Sequence, residues 1–243
     1  MAMHAVRLLA PSLALAALGI GLGPAAAVDD FGARPEAAGE MPRLFRADFE
    51  SGGLEGWEFT DKDAWKITDA GGDHVLDQHK ASRYEPKVRS PLNIALMPGS
   101  DAGDFVLDLK VHSTGRDYGH RDVCLFFGHQ DPSHFYYVHL GKQADPHAHS
   151  IFLVNGQPRV SIAEERTSGT PWTDGWHRVR IVRKASEGGL IEVYFDDMAK
   201  PIMVAHDKTF SHGRIGVGSF DDTGQFDEIQ VWGRAHDGSK GGD

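Results

Sequence analysis

Six histidines crowd one stretch of this chain. His120, His129, His134, His139, His147 and His149 fall within thirty residues. Neutral imidazoles beside carboxylates such as Asp131 and Asp145 can bind zinc or another transition metal. His147 and His149 are spaced i, i+2, so on a strand they would face one side. The spacing Asp145-Pro146-His147-Ala148-His149 matches no closed structural zinc site. The alternative is that these rings line polar turns and hydrogen-bond locally.

Aromatic residues supply a second chemistry. Tyr136, Tyr137, Trp172, Trp176 and Trp57 could stack on pyranose faces while His, Asp and Arg read the hydroxyls. Trp57, Trp65, Trp176 and Trp232 fit core or edge packing better. Trp172, in Thr170-Pro171-Trp172-Thr173-Asp174, reads as a loop residue and is the leading surface candidate. After Pro132, the residues Phe135, Tyr137 and His139 share one side of a strand, and His134, Tyr136 and Val138 share the other. His129 joins the first set if Gln130-Asp131-Pro132 makes a hairpin. The ligand-binding face is therefore assigned to Arg121, His129, Gln130, Tyr137, His139, His149 and Trp172. Binding through imidazoles predicts an affinity that weakens as pH falls through about 7 to 6.

Acid–base chemistry on a glycosidic bond needs two carboxylates about 5 to 9 Å apart. Asp122, Asp131, Glu164 and Glu165 are candidates. The chain has no Gly-x-Ser-x-Gly and no His-Glu-x-x-His. Gly213 to Gly218 is glycine-rich, but no helical pattern follows it, so a phosphate loop is excluded.

Strands must position these groups. Fifteen short strand-like segments follow residue 42. Phe105, Leu107, Leu109 and Val111 alternate with Val106, Asp108, Lys110 and His112, the period of a half-buried strand. Asn155-Gly156 predicts a type I′ hairpin turn. No segment carries a 3.6-residue period, which points to a sandwich or barrel. Ile229 and Val231 share parity but Phe226 does not. If all three are core, the chain bulges near Asp227-Glu228, and a carbonyl and carboxylate exposed there would suit a hard cation.

Residues 1–27 read as a secretory signal peptide: Arg7, an apolar run from Leu8 to Leu22, then Ala25-Ala26-Ala27 before Val28. An uncleaved anchor is the alternative. Residues 28–41 read as a mobile leader, 42–233 as one domain and 234–243 as a loose tail. No second apolar segment reaches membrane length, so no transmembrane span is expected after cleavage. The net charge of −10 and the lack of Lys/Arg runs argue against a nucleic-acid partner. Cys124 is the lone cysteine, so no internal disulfide holds the fold. Within Val123-Cys124-Leu125-Phe126-Phe127 it reads as a buried hydrophobe.

Several motifs in order carry a resemblance. They are Phe45-Arg46-Ala47-Asp48-Phe49-Glu50-Ser51-Gly52, the run Asp122 to Val138 with its Gln130-Asp131-Pro132 turn, and Gly175-Trp176-His177-Arg178-Val179-Arg180-Ile181. Glu192 to Asp197 with Pro201-Ile202, Gly213 to Ser219 and Phe226 to Val231 complete the series. Together they resemble the concanavalin A-like (laminin G-like) domains of exported bacterial proteins, related to the 3-keto-disaccharide hydrolases. The resemblance implies an all-β jelly-roll sandwich of two antiparallel sheets, exported to the periplasm or cell exterior. It implies a carbohydrate ligand, and a structural calcium held by Asp48, Glu50 and Asp227, with Gly52 and Gly53 letting the backbone approach; an ordinary solvated acidic turn is the alternative there. The glucanases' Glu-x-Asp-x-x-Glu strand and the hydrolases' Glu-Tyr-Gln stretch are missing, and Gly128 stands where related domains often carry Arg. A carbohydrate-binding, lectin-like module is therefore the leading expectation. A glycoside or 3-keto-glycoside hydrolase follows, then a protein-binding adhesion or scaffold module.

Overall fold

The computed structural model describes Met1 and residues 32–236. The expected signal peptide and the end of the expected tail lie outside these residues. Sixteen strands pair into two antiparallel sheets. The first contains β1 (Arg43–Ala47), β3 (Trp65–Asp69), β4 (His74–Gln78), β6 (Ala102–Ser113), β11 (Glu165–Arg166), β12 (His177–Lys184), β13 (Leu190–Phe195), β14 (Met203–His206) and β16 (Gly224–Ala235). The second contains β2 (Glu58–Phe59), β5 (Asn93–Leu96), β7 (Cys124–Asp131), β8 (His134–His139), β9 (Ser150–Asn155), β10 (Val160–Ser161) and β15 (Arg214–Ser219), in the order β10-β9-β8-β7-β15-β5-β2. The fold is the lectin-like β-sandwich expected. Among the described residues no helix is long and apolar enough to cross a membrane.

Strand alternation builds the core. Phe105, Leu107, Leu109 and Val111 of β6 point between the sheets, as do Val179 and Ile181 of β12. From the second sheet Leu125, Phe127, Tyr136, Val138, Ile215 and Val217 meet them. Phe226, Ile229 and Val231 are all core, and the register of β16 against β6 shifts between Asp227 and Gln230. Glu228 takes a φ of 49° at that bulge. The parity conflict in the sequence thus has the structural outcome it demanded.

The second sheet is apolar on its outer face too. Ile94, Leu96, Cys124, Phe126, Phe135, Tyr137, Phe152 and Val154 form a separate buried cluster there, with Val88 and Phe220 packed on it. This explains the unbroken apolar run around Cys124: a strand buried on both faces loses its alternation. The covering segment is extended. Ser82, Tyr84, Pro86 and Val88 are half-buried, while Arg83, Glu85, Lys87 and Arg89 are exposed. It crosses the outer face as a strap tied at both ends. Arg83 N donates to Asp61 Oδ2 at 2.9 Å, and Arg89 O accepts from Arg159 N at 3.3 Å.

Three local expectations change. The turn after β9 is longer than a two-residue type I′ turn: Gly156 has φ 69° but Asn155 stays in the strand, and Leu153 pairs with Val160. Residues 32–41 are not a loose leader. Glu36–Ala38 form a short 3-10 turn, and Ala38 and Met41 pack with Val106, Val182 and Trp232 on the outer face of the first sheet. The expected tail begins inside β16, where Ala235 pairs with Ala102.

Candidate functional site

The β7–β8 hairpin turns at Pro132-Ser133, with Asp131 opposite His134 and Asp131 Oδ1 accepting from Ser133 N at 2.7 Å. Between Phe127 and Asp131 the register slips, and Gly128 sits at φ 58°. A Cβ there would meet the Tyr136 ring at 2.9 Å, so this bulge favours glycine over any larger residue. The bulge keeps His129 on the outer face, where its ring stacks on Phe135 with centroids 5.4 Å apart. Phe135, Tyr137 and His139 continue that row. Tyr137 also stacks on Phe152 at 5.1 Å, and His139 on Phe220 at 5.8 Å.

The row ends in a polar corner. Asp122 precedes β7, and Asp221 and Asp222 sit in the turn between β15 and β16. Asp122 is fully enclosed. Its Oδ2 accepts from Phe220 N at 2.8 Å, and its backbone N–H donates to Asp222 Oδ2 at 3.0 Å. Tyr118 donates its hydroxyl to Asp222 Oδ2 at 3.0 Å. Arg159, from the turn after β9, lies over the Phe220 ring at 4.2 Å and donates to His147 O at 2.9 Å. His120 Nε2 lies 2.8 Å from Asp145 Oδ2 on the rim.

Several polar atoms here are buried without a hydrogen bond: Asp122 Oδ1, Tyr137 Oη, His139 Nε2, and Nε and Nη1 of Arg159. His139 Nε2 is 2.9 Å from Asp122 Oδ2, but the two are out of hydrogen-bond alignment, so the short separation does not satisfy either group. Buried polar atoms without partners are uncommon, because each costs desolvation. Burial, then the charge of Asp122, pushes the Asp222 carboxyl up to about 6. The same two causes raise Asp221. Burial lifts the Tyr137 phenol, and the Cys124 thiol, well above their ordinary values, so Cys124 is an inert buried hydrophobe.

The structure brings together His129, Tyr137 and His139 of the assigned face, and not the rest. Arg121 is buried and clamps two loops, donating to Ser113 Oγ, Ser113 O, Thr173 O and Asp174 Oδ1. Gln130 is exposed and donates to His212 O. His149 is fully buried between Thr167 and Thr170 hydroxyls at 2.9 and 3.0 Å, in a bend and not on a strand with His147. Trp172 is not a surface residue. It is 7% exposed, its Nε1 donates to Leu140 O at 2.7 Å, and its ring meets Phe195 edge-on at 5.0 Å. Its loop closes the edge of the core. Burial drives His129 and His149 down to about 4, so neither supplies the expected titration at pH 6 to 7.

At the β1–β16 edge the three assigned carboxylates are not drawn together. Glu50 accepts from His74 N at 2.7 Å and lies 3.2 Å from His74 Nδ1. Asp48 lies 3.3 Å from Arg46 Nη2. Asp227 alone is enclosed there, with Oδ1 unbonded, and burial, then the charges of Asp73 and Glu228, raises it to about 6. Among the described residues the triads whose ligand atoms converge within 4.8 Å are Asp122–Cys124–His139 and Asp122–Asp221–Asp222. Sequence reasoning offers Asp122 only as a candidate acid–base partner. It misses Arg159, Asp221, Asp222 and Tyr118, whose turn-like settings give no sign of convergence.

No protein-family model matches the chain, and no curated protein matches it in sequence. Solved structures match the fold. The carbohydrate-binding module CBM66 from Bacillus subtilis is 17% identical, with 73% of this chain and 95% of that one covered and a TM-score of 0.52. Domain 4 of AbnA, a GH43 extracellular arabinanase from Geobacillus stearothermophilus in complex with arabinotriose, is 14% identical, with 82% and 96% covered and a TM-score of 0.51. A protein of unknown function with a galectin-like fold from Bacillus subtilis is 13% identical, with 80% and 97% covered and a TM-score of 0.51. At these identities the likeness is one of fold.

Proposed function

We propose that this chain is an exported carbohydrate-binding module, and that the glycan binds at the polar corner of the second sheet. The carrying observation is the set of unsatisfied buried atoms at one end of an aromatic row: Asp122 Oδ1, Tyr137 Oη, His139 Nε2, and Nε and Nη1 of Arg159. Donors and acceptors gathered at one corner suit a hydroxylated ligand, with contact made through the half-buried Arg159, Phe220 and Asp222, since the Phe135, Tyr137 and His139 rings of the row are enclosed. Exposed His120, His147 and Asp221 on the rim supply further contacts. Two solved structures of similar fold, a carbohydrate-binding module and an arabinanase domain in complex with arabinotriose, support the ligand class. Export rests on the Leu8–Leu22 run and Ala25-Ala26-Ala27. Kinship with the laminin G-like domains or the keto-disaccharide hydrolases rests on the motif order alone.

The calcium proposal narrows to Asp227. Its enclosed, unbonded carboxylate oxygen suits a hard cation, while Asp48 and Glu50 would have to leave Arg46 and His74 to join it.

One observation favours a second reading, a hydrolase acting at the same corner. Asp122 and His139 are buried side by side, and Asp222 titrates near pH 6, where a carboxylic acid can deliver a proton. A protein-docking reading gains nothing. Among the described residues the exposed large apolar side chains are Met1, Val160 and Trp176, which sit far apart in sequence and belong to none of the three apolar clusters.

The test is a glycan array followed by titration of the best ligand into wild type and Arg159→Ala. Binding that weakens by about tenfold or more, with melting retained, is expected, since a charged hydrogen bond is worth about 1.5–3 kcal/mol. No ligand on the array, or a ligand indifferent to Arg159, overturns the placement. Turnover of the bound glycan would select the hydrolase.

A further inference from the structure

We infer that Asp122, Asp221 and Asp222 form a binding site for one hard divalent cation of the calcium–manganese class. One carboxylate oxygen from each lies within 4.8 Å of the other two. With ligand distances near 2.1 to 2.5 Å, oxygens around a single ion are separated by about 3 to 5 Å, so the carboxylates already have the required spacing. The set is all oxygen, which hard cations prefer.

Spacing alone would describe any acidic turn. Two enclosed groups add a separate indication. Asp122 has no exposed surface, and while Oδ2 accepts from Phe220 N, Oδ1 makes no hydrogen bond. His139, 4% exposed, has Nδ1 3.1 Å from His147 O. A carbonyl can only accept, so Nδ1 carries the hydrogen toward His147 and Nε2 is left on the Asp122 side. Nε2 then lies 2.9 Å from Asp122 Oδ2, out of line for a hydrogen bond. Asp122 Oδ1 and His139 Nε2 are thus two enclosed polar atoms at one corner without a hydrogen bond, which costs desolvation until a ligand completes them. A ring nitrogen whose opposite N–H is fixed by a backbone carbonyl is also the arrangement found around bound metals.

The electrostatics agree. Asp122, Asp221 and Asp222 lie close enough to repel one another when ionised. Arg159, the nearby cation, directs Nη2 to His147 O and its face to Phe220. A bound ion would relieve the repulsion among the three carboxylates. Asp221 is exposed and gives the ion a route in. The site shares Asp122 and Asp221 with the proposed glycan corner, but a metal titration needs no sugar, so the two readings fail separately. The cluster is separate from the Asp227 edge.

The experiment uses the full chain, stripped with a chelator and then titrated calorimetrically with CaCl2 and, separately, MnCl2. A saturable transition tighter than about 1 mM is expected for at least one ion, the weak end of extracellular calcium sites. Asp221→Asn and Asp222→Asn, each in the β15–β16 turn, should weaken it more than about tenfold. Glu187→Gln, in the turn between β12 and β13, should leave it unchanged. Because Asp122→Asn risks the fold, the turn variants decide the outcome. No saturable binding of either ion, or binding that both turn variants leave unweakened, overturns the inference.

Discussion

Tyr137→Phe separates stability from binding. The Tyr137 ring is fully enclosed, and its hydroxyl makes no hydrogen bond. Phenylalanine keeps the stacks on Phe152 at 5.1 Å and Phe126 at 6.0 Å, so the substitution opens no large cavity. An unpaired buried hydroxyl costs about 1–3 kcal/mol, and its removal returns part of that. The ligand-free variant should therefore be more stable by about 1 kcal/mol. For a domain of this size that raises Tm by about 2–4 °C. Glycan affinity should stay within about twofold in Kd, because the enclosed hydroxyl has no surface open to a ligand. Urea unfolding and calorimetric titration of the same two proteins read both effects. A variant less stable than wild type by about 1 kcal/mol or more would show that the hydroxyl is satisfied in the folded protein. Affinity weakened by about fivefold or more would show that the ligand reaches the Tyr137 hydroxyl.

Two further predictions follow from burial. Asp222 and Asp227 both stand near 6 in the folded protein against 3.8 as the ordinary value. A raised carboxyl pKa means that the folded state holds more protons between about pH 4 and 6, so stability rises as pH falls from 7 to 5. After screening of the half-open Asp222, about 1 kcal/mol per group is expected, read as a higher Tm at pH 5 than at pH 7.5 in chelator. A Tm that falls steadily over this range would refute it, and Asp222→Asn with Asp227→Asn should flatten the profile. Trp172→Ala should cost about 3–5 kcal/mol in urea unfolding while leaving glycan affinity of the folded protein intact, because the ring is core. Normal stability with lost binding would restore Trp172 to the ligand face.

Much of the fold is legible in the sequence because parity is a counting argument. The alternation of Phe105, Leu107, Leu109 and Val111 survives any error in element boundaries. The mismatch of Phe226 with Ile229 and Val231 requires an extra residue, and Glu228 is where the chain supplies it. Composition-based signals fare worse. Asn155-Gly156 marks a reversal, but the local dipeptide does not fix the loop length, and β10 resumes only at Val160. The segment around Trp172 is a loop, as its residues suggest. Nothing in those residues encodes the open core edge that Leu140 and Phe195 present to the indole.

The site divides along the same line. Phe135, Tyr137 and His139 share a face because they alternate on one strand, and that needs no knowledge of neighbours. The corner needs the sheet order. β7 has β8 on one side and β15 on the other, which brings the start of β7 beside the end of both. Asp122 therefore meets His139 from one neighbour and the Phe220-to-Asp222 turn from the other, across about a hundred residues of chain. Arg159 arrives from β9, one strand further out. Each of these residues reads locally as an ordinary turn polar group. Their meaning lies in the fact that three turns and strand β8 deliver them to one apolar face, where a carboxylate, an imidazole, a phenol and a guanidinium lose water together. A protein gains nothing in stability from that arrangement, since apolar residues would pack there at lower cost. The glycan and cation proposals share that root: each supplies a partner for polar atoms that the fold leaves unsatisfied.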